Sequence, residues 1–244
     1  MMLYARPVAL HRGLHANLKL DSRPGNFAFA RATNSLLIAA SEIADACKDY
    51  PVVFVANPNG EFTLAALLGL RDSENLFVDA DGKWAEGAYV PAFARRYPFV
   101  LAEAAPGADQ LTVCIDEAYD GLGDSVGSAL FDDSGAATPL LQHATEFLVQ
   151  FHAEMQQTAL FAKTLADADL LVPKAIEIRR HGRTHVLDGM FVVDRARLAA
   201  LDDTRSLALL RSGAMYAIHA HLMSLDRAGR LADRLEPRLS AQPA

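Results

Sequence analysis

The sequence has little of what would assign it to a specialised class of protein. Only two of its 244 residues are cysteines, Cys47 and Cys114, and neither has a CxxC partner. A disulfide framework is therefore not expected, and this cysteine usage suits a reducing compartment. Internal repeats and low-complexity tracts are missing as well.

Long apolar runs and an excess of positive charge are also missing. The longest weakly charged run, residues 28–40, is interrupted by Arg31 and Asn34 and is too short to span a bilayer. Residues 1–20 lack the uninterrupted apolar stretch and cleavage site of a signal peptide. The net charge of −7 argues against a nucleic-acid or anionic-membrane surface. We therefore expect a cytoplasmic protein that neither inserts into membranes nor binds nucleic acid.

Half of the chain is apolar, so a sizeable core can form. The clearest structural pattern covers residues 176–225. Apolar and polar residues alternate at 176–178, the chain turns at 181–183, and apolar residues return at 186–193. Asp194 then caps a short helix over 195–201, and one long helix is predicted over 206–235.

The rest of the chain alternates strands with amphipathic helices. We predict helices over 34–49 and 139–167, with Thr138 capping the second, and strands over 52–55, 62–70, 99–101 and 111–115. Hairpins outnumber possible βαβ units. The prediction is an α+β fold in which antiparallel hairpins form one or two sheets covered by long amphipathic helices. Residues 1–239 are expected to form a single domain, followed by a disordered tail, 240–244.

Short motifs spread along nearly the whole chain carry a family resemblance. They are Asn26–Arg31, Tyr50–Phe54, Ala66–Leu70, Glu74–Asp79, Tyr89–Pro91, Arg95–Phe99, Cys114–Asp116, Phe147–Gln156, Arg211–Ala214 and Ala220–Leu225. In this order they resemble the SapC family of bacterial proteins. The resemblance implies an association with bacterial surface-layer protein transport, at most as an auxiliary protein, and it implies no reaction.

One motif suggests catalysis. Residues 123–127 match the G-x-S-x-G pattern in which a strained turn exposes a nucleophilic serine, here Ser125. Asp188 with His219 or His221 would follow it in a suitable chain order. The surrounding sequence lacks the required strand–turn–helix, so a flexible acidic loop is the alternative interpretation.

Metal and cofactor chemistry finds no support in the sequence. His219 and His221 are two apart in a predicted helix, and no group of three or four histidine, cysteine or acidic residues has ligand spacing. We predict no metal and no cofactor.

The best binding candidates lie between residues 84 and 97. Trp84, Tyr89 and Tyr97 offer rigid contact area, and Arg95 and Arg96 offer guanidinium groups for an anion. Because the two arginines are adjacent on a helical turn, one is expected to face inward, toward Asp116 or Glu117, and the other outward. The alternative is that Trp84 and Tyr97 belong to the core and both arginines pair with the acidic loop 116–135.

Three functional interpretations remain. The first is a soluble non-catalytic accessory protein that binds a protein or small-molecule partner at residues 84–97 and the loop 116–135. The second is a small hydrolase that uses Ser125, and the third is an escort for a secreted client. An exposed apolar groove would favour the first and third, and a paired serine and histidine in a pocket would favour the second. Homo-oligomerisation is possible under each.

Overall fold

A computed structural model describes residues 3–21, 26–103, 111–180 and 182–240. Within these residues helices alternate with antiparallel sheets, which confirms the predicted α+β class. The eleven strands described are β1 (Pro7–Ala9), β2 (Lys19–Leu20), β3 (Ser35–Leu37), β4 (Val52–Ala56), β5 (Phe62–Leu67), β6 (Phe99–Glu103), β7 (Leu111–Asp116), β8 (Leu122–Gly123), β9 (Ser128–Ala129), β10 (Leu171–Arg180) and β11 (Arg183–Val193).

The largest sheet has five strands in the order β10-β11-β4-β5-β3. Two predicted hairpins, β4–β5 and β10–β11, meet in this sheet, where Phe191 of β11 pairs with Phe54 of β4. Phe54 is fully buried, so the join between the two hairpins lies in the main core. Of the predicted turn 181–183, His181 lies outside the described residues.

Two smaller sheets lie beside it. One has the order β1-β7-β6 and the other the order β8-β2-β9. A second, smaller apolar cluster packs between them and the longest helix. Its buried members are Leu20, Phe99, Ile115, Leu130, Leu141 and Leu148.

Seven α-helices are described. They are α1 (Ile43–Ala46), α2 (Ala92–Arg95), α3 (Pro139–Asp167), α4 (Arg195–Ala199), α5 (Asp203–Arg211), α6 (Ala214–Ser224) and α7 (Ala228–Ser240). Helix α3 has the predicted bounds, with Leu148 and Phe151 on its buried face. Thr138 occupies its N-cap position, but its hydroxyl donates to the carbonyls of Ala129 and Leu130 instead of capping the helix.

The predicted helix over 34–49 is wrong in its first half. Ser35–Leu37 forms strand β3, which pairs with β5 and buries Leu36. A 3-10 turn at Ala40–Glu42 and the short helix α1 follow. The apolar spacing of this segment fits a helix, but pairing with β5 overrides it.

The predicted single helix over 206–235 is also wrong. Gly213 breaks it with a φ of +78°, a conformation that glycine adopts without steric cost. The last helix continues past its predicted end at residue 235, through Pro237, to Ser240. Except for Ser240, the tail predicted at 240–244 lies outside the described residues.

The last helix is fixed to the rest of the core by two arginines. Arg238 donates to the carbonyls of Asn75 and Val78 at 2.8 and 2.9 Å, and the Arg234 guanidinium lies 4.2 Å from the centre of the Phe77 ring. Leu231 and Leu235 bury the apolar face of α7.

Candidate functional site

An aromatic cavity of about 410 Å³ lies where α2 and the start of β6 meet α3. Its phenylalanine and tyrosine lining residues come from four separate parts of the chain: Phe27, Phe29, Tyr97, Phe99, Tyr119 and Phe147. Tyr97 stacks on Phe29 with ring centres 3.9 Å apart and meets Tyr119 edge-on at 5.4 Å. We call this space the aromatic cavity. Its size and lining are typical of small-molecule sites.

Arg95 lies exposed at the edge of the aromatic cavity. Its Nε donates to the Val90 carbonyl at 3.0 Å, and its Nη2 donates to the Tyr89 hydroxyl at 3.2 Å. The guanidinium lies 5.3 Å from the centre of the Phe147 ring and 5.8 Å from that of Tyr89. These contacts fix the direction in which the cation points.

A buried carboxylate supports Arg95 indirectly. Glu42 is only 6% exposed and accepts hydrogen bonds from the backbone N–H groups of Ala39 and Ala92. It also accepts from the Tyr89 hydroxyl at 2.8 Å. Burial, followed by the nearby Glu42 carboxylate, raises the pKa of Tyr89 to about 12, so this phenol stays protonated and keeps donating.

Arg96 faces the opposite way, toward the core. Its guanidinium lies 4.0 Å from the ring centre of Phe93 and 5.1 Å from that of Phe151. Burial lowers the pKa of Arg96, and the neighbouring Tyr4 hydroxyl offsets part of this effect. Its Nε finds no hydrogen-bond partner among the described residues. The two arginines therefore differ in burial, as expected.

The predicted contact of the inward arginine with Asp116 or Glu117 is wrong. Asp116 is fully buried and accepts from the backbone N–H groups of Ala5, Arg6 and Ala118 and from the Tyr97 hydroxyl. Burial by itself would raise the pKa of Asp116, but these four donors hold it below its usual value.

The remaining predicted binding residues lie outside the cavity lining. Trp84 is buried and donates to the Tyr50 hydroxyl at 3.0 Å. Glu117 pairs with Arg6 at 3.2 Å and contacts His15 at 3.5 Å. Of the seven predicted residues, Arg95, Arg96 and Tyr97 line the cavity, while Tyr89 and Asp116 hold two of them in place.

Sequence reasoning missed several lining residues, among them His143 and Tyr119. Phe27, Phe29 and Phe147 fall in motifs of the family resemblance, and none of them is predicted to line a site. The sequence of each segment does not by itself predict that the segments meet. The one available hint is that aromatic residues cluster before β3 and again on α3.

The candidate catalytic residues are dispersed. Ser125 lies exposed between β8 and β9, and Asp188 lies exposed on β11. His219 is exposed on α6 and its Nδ1 lies 2.7 Å from the Met215 carbonyl oxygen. In the described part of the chain, no hydrogen bond joins Ser125 to a histidine.

His221 serves the core instead. It is fully buried, and its Nε2 accepts from the Val193 backbone N–H at 3.1 Å, so the ring proton lies on Nδ1 and is donated to the Val52 carbonyl at 2.7 Å. The imidazole thus joins α6 to both β11 and β4. Burial lowers the pKa of His221 to about 4.

We expect Ser125→Ala to leave any activity on generic ester substrates unchanged, because Ser125 lacks an adjacent base to activate it. The measurement is ester turnover by the wild type and the variant, with fluorophosphonate labelling followed by mass spectrometry. Covalent modification confined to Ser125, or activity lost in the variant, would favour the hydrolase interpretation. Ser134→Ala, at another exposed loop serine, is the matched control.

A second, larger groove of about 780 Å³ lies among α3, α5, α6 and the turn at 40–42. Its lining is mainly apolar, and Leu160 and Tyr216 are 58% and 66% exposed there. An exposed apolar groove is the feature that favours a binding or escort protein over a hydrolase.

Two further properties concern the described residues alone. They contain no group of three or more histidine, cysteine or acidic side chains placed to hold a metal ion. None of their helices combines the length and the apolar character needed to cross a membrane.

Comparison with known proteins gives one positive result. No curated protein and no solved structure matches the chain. The model of one protein family, described as SapC, matches residues 10–231. This match includes all of the aromatic cavity and ends within α7, before Arg234 and Arg238. The chain belongs to the SapC family.

Proposed function

We propose that this protein is a non-catalytic accessory protein that binds a ligand in the aromatic cavity. The observation that carries the proposal is the lining itself, which combines six phenylalanine and tyrosine rings with two arginines and contains no serine, cysteine or carboxylate. Such a surface supplies apolar contact area and positive charge but no serine, cysteine or carboxylate nucleophile. An auxiliary role beside a surface-layer or secretion system comes from the family resemblance and is part of the proposal.

The cavity is held in shape by buried groups, which supports its use as a binding site. Asp116 fixes the Tyr97 hydroxyl at 3.2 Å, and Glu42 fixes Tyr89, which in turn contacts Arg95. A site that is already formed loses less conformational entropy when a ligand binds.

The test uses two simple probes, 2-naphthoate and its uncharged relative 2-naphthylmethanol, in calorimetric titrations. We expect at least one to bind the wild type and to be recovered chemically unchanged. Ala144→Trp, on the α3 wall of the cavity, should weaken this binding at least tenfold because the indole fills the space. Ala153→Trp, at an exposed position of the same helix, should not.

Melting temperatures of both tryptophan variants check that each is folded. If neither probe binds, or if both variants bind like the wild type, the aromatic cavity is not the binding site and the proposal fails.

A further inference from the structure

Arg95 presents unused hydrogen-bond donors at the edge of the aromatic cavity. A guanidinium has five N–H groups. In Arg95, one on Nε and one on Nη2 are bonded within the protein, which leaves three, including both on Nη1. Arg95 forms no ion pair with any carboxylate among the described residues. From this we infer that the ligand of the aromatic cavity carries a carboxylate that Arg95 recognises, an inference that rests on the proposed function.

The groups that hold Arg95 in place explain why its guanidinium is suited to bind a carboxylate. The side chain does not need to be ordered when a ligand arrives, because Val90, Tyr89 and the Phe147 ring already hold it. Glu42 contacts Arg95 only through the Tyr89 hydroxyl. Its carboxylate therefore does not occupy the outward edge of the guanidinium. That edge presents Nη1 and Nη2 side by side, the geometry that binds both oxygens of a carboxylate.

The lining defines the rest of the ligand. Aromatic and aliphatic side chains together form most of the wall beside Arg95, so the body of the ligand is apolar, and a planar ring can stack on Tyr97 or Phe29. A cavity of about 410 Å³ fits a small molecule or a single large side chain. The ligand class is thus an aromatic or aliphatic carboxylic acid.

The charge balance favours a carboxylate over a phosphate. Arg95 is the one lining arginine whose guanidinium points outward, since Arg96 stacks against Phe93 and Phe151. A single cation matches a single negative charge, whereas a phosphate monoester brings nearly two at neutral pH.

The test compares three probes that share a naphthyl body: 2-naphthoate, 2-naphthylmethanol and 2-naphthyl phosphate. We expect the wild type to bind 2-naphthoate about tenfold or more tightly than the alcohol, and no less tightly than the phosphate. Arg95→Met keeps the apolar stem and should abolish the preference for 2-naphthoate over the alcohol. Arg195→Met, at an exposed arginine of α4, is the matched control and should bind like the wild type.

Tyr89→Phe tests whether Tyr89 contributes to carboxylate recognition by positioning Arg95 or only stabilises the fold. It removes the hydroxyl that positions Arg95 but keeps the ring, so it should reduce the affinity for 2-naphthoate by less than Arg95→Met does, and it should change the affinity for the alcohol less than that for 2-naphthoate. A purely structural role for Tyr89 would change both affinities together.

The outcomes distinguish this inference from the proposed function. If the alcohol binds in the cavity as well as 2-naphthoate does, or if Arg95→Met keeps the preference, the carboxylate inference fails and the binding function stands. Tighter binding of the phosphate through Arg95 would also overturn the assignment to a carboxylate. If no probe binds, both fail.

Discussion

Replacing Asp116 with alanine is expected to lower the free energy of unfolding by about 3–4 kcal/mol. The carboxylate is fully buried and accepts hydrogen bonds from three backbone N–H groups and one phenol. Alanine would remove all four acceptor contacts at once and leave the donors without partners inside the protein. Each hydrogen bond in such a part-buried site contributes about 1 kcal/mol, and partial rearrangement of the chain reduces the sum.

Chemical denaturation of the purified variant measures this effect. Asp133→Ala is the control, because Asp133 is an exposed carboxylate in the same acidic segment, and its loss should change stability by less than about 0.5 kcal/mol. If the two variants are equally stable, the Asp116 carboxylate does not stabilise the backbone of Ala5 and Arg6 just before β1. The effect should extend to the aromatic cavity, because Tyr97 loses the acceptor for its hydroxyl.

The second large effect is a loss of stability in acid that originates at His221. Its pKa is about 4 in the folded protein and 6.5 in the unfolded chain. Between these values the unfolded state binds more protons than the folded state, so stability rises with pH across this window. Going down from pH 8 to pH 4, His221 alone should remove about 3 kcal/mol. The stability it contributes is complete above pH 6.5.

Denaturation curves at several pH values test this prediction, with His221→Asn compared to His219→Asn. The first variant should lose this part of the pH dependence, whereas the second, at an exposed histidine two residues away, should keep it. Titration of the wild-type His221 ring by NMR gives its pKa directly, even if the His221 variant does not fold. Parallel pH profiles for all three proteins, or a His221 pKa near 6.5, would contradict the prediction.

The parts of the fold that could be read from the sequence are those whose signals are local. Helix α3 combines a long apolar periodicity with Pro139 at its first turn, and Asp194 caps α4 through the N–H groups of Ala196 and Arg197. The β10–β11 hairpin follows from its alternating apolar residues. Each signal lies within the segment that it specifies.

The errors arise where a distant partner decides the structure. Leu36 lies seven residues before Ile43, a helical spacing, yet Ser35–Leu37 pairs with β5, a strand some thirty residues further along the chain. Gly213 was included in a helix because the residues on both sides of it form helices. At Pro237, the loss of one backbone N–H is tolerated near the end of a helix that Arg238 holds to Asn75 and Val78.

The residues around Arg95 and Arg96 likewise combine features that local sequence predicts with features that depend on distant packing. Adjacent arginines on one helical turn must point in different directions, so their unequal burial follows from geometry alone. The partner of Arg96 does not follow from it, because the choice between Asp116 and a set of aromatic rings depends on how α2 packs against α3. Likewise, the sequence near Arg95 contains no pattern that predicts the contact between its guanidinium and the Phe147 ring.

The position of β4 has a consequence for how the protein is made. This strand lies between β5 and β11, but β11 begins only at Arg183. At synthesis rates of about 5–20 residues per second, one edge of β4 stays without its neighbour on the ribosome for on the order of ten seconds. During that time the apolar side chains of Val52, Val53 and Phe54 lack part of their final cover, and the open edge can pair with other chains. The nascent chain therefore exposes, for that time, an apolar strand edge that the finished protein covers with β11.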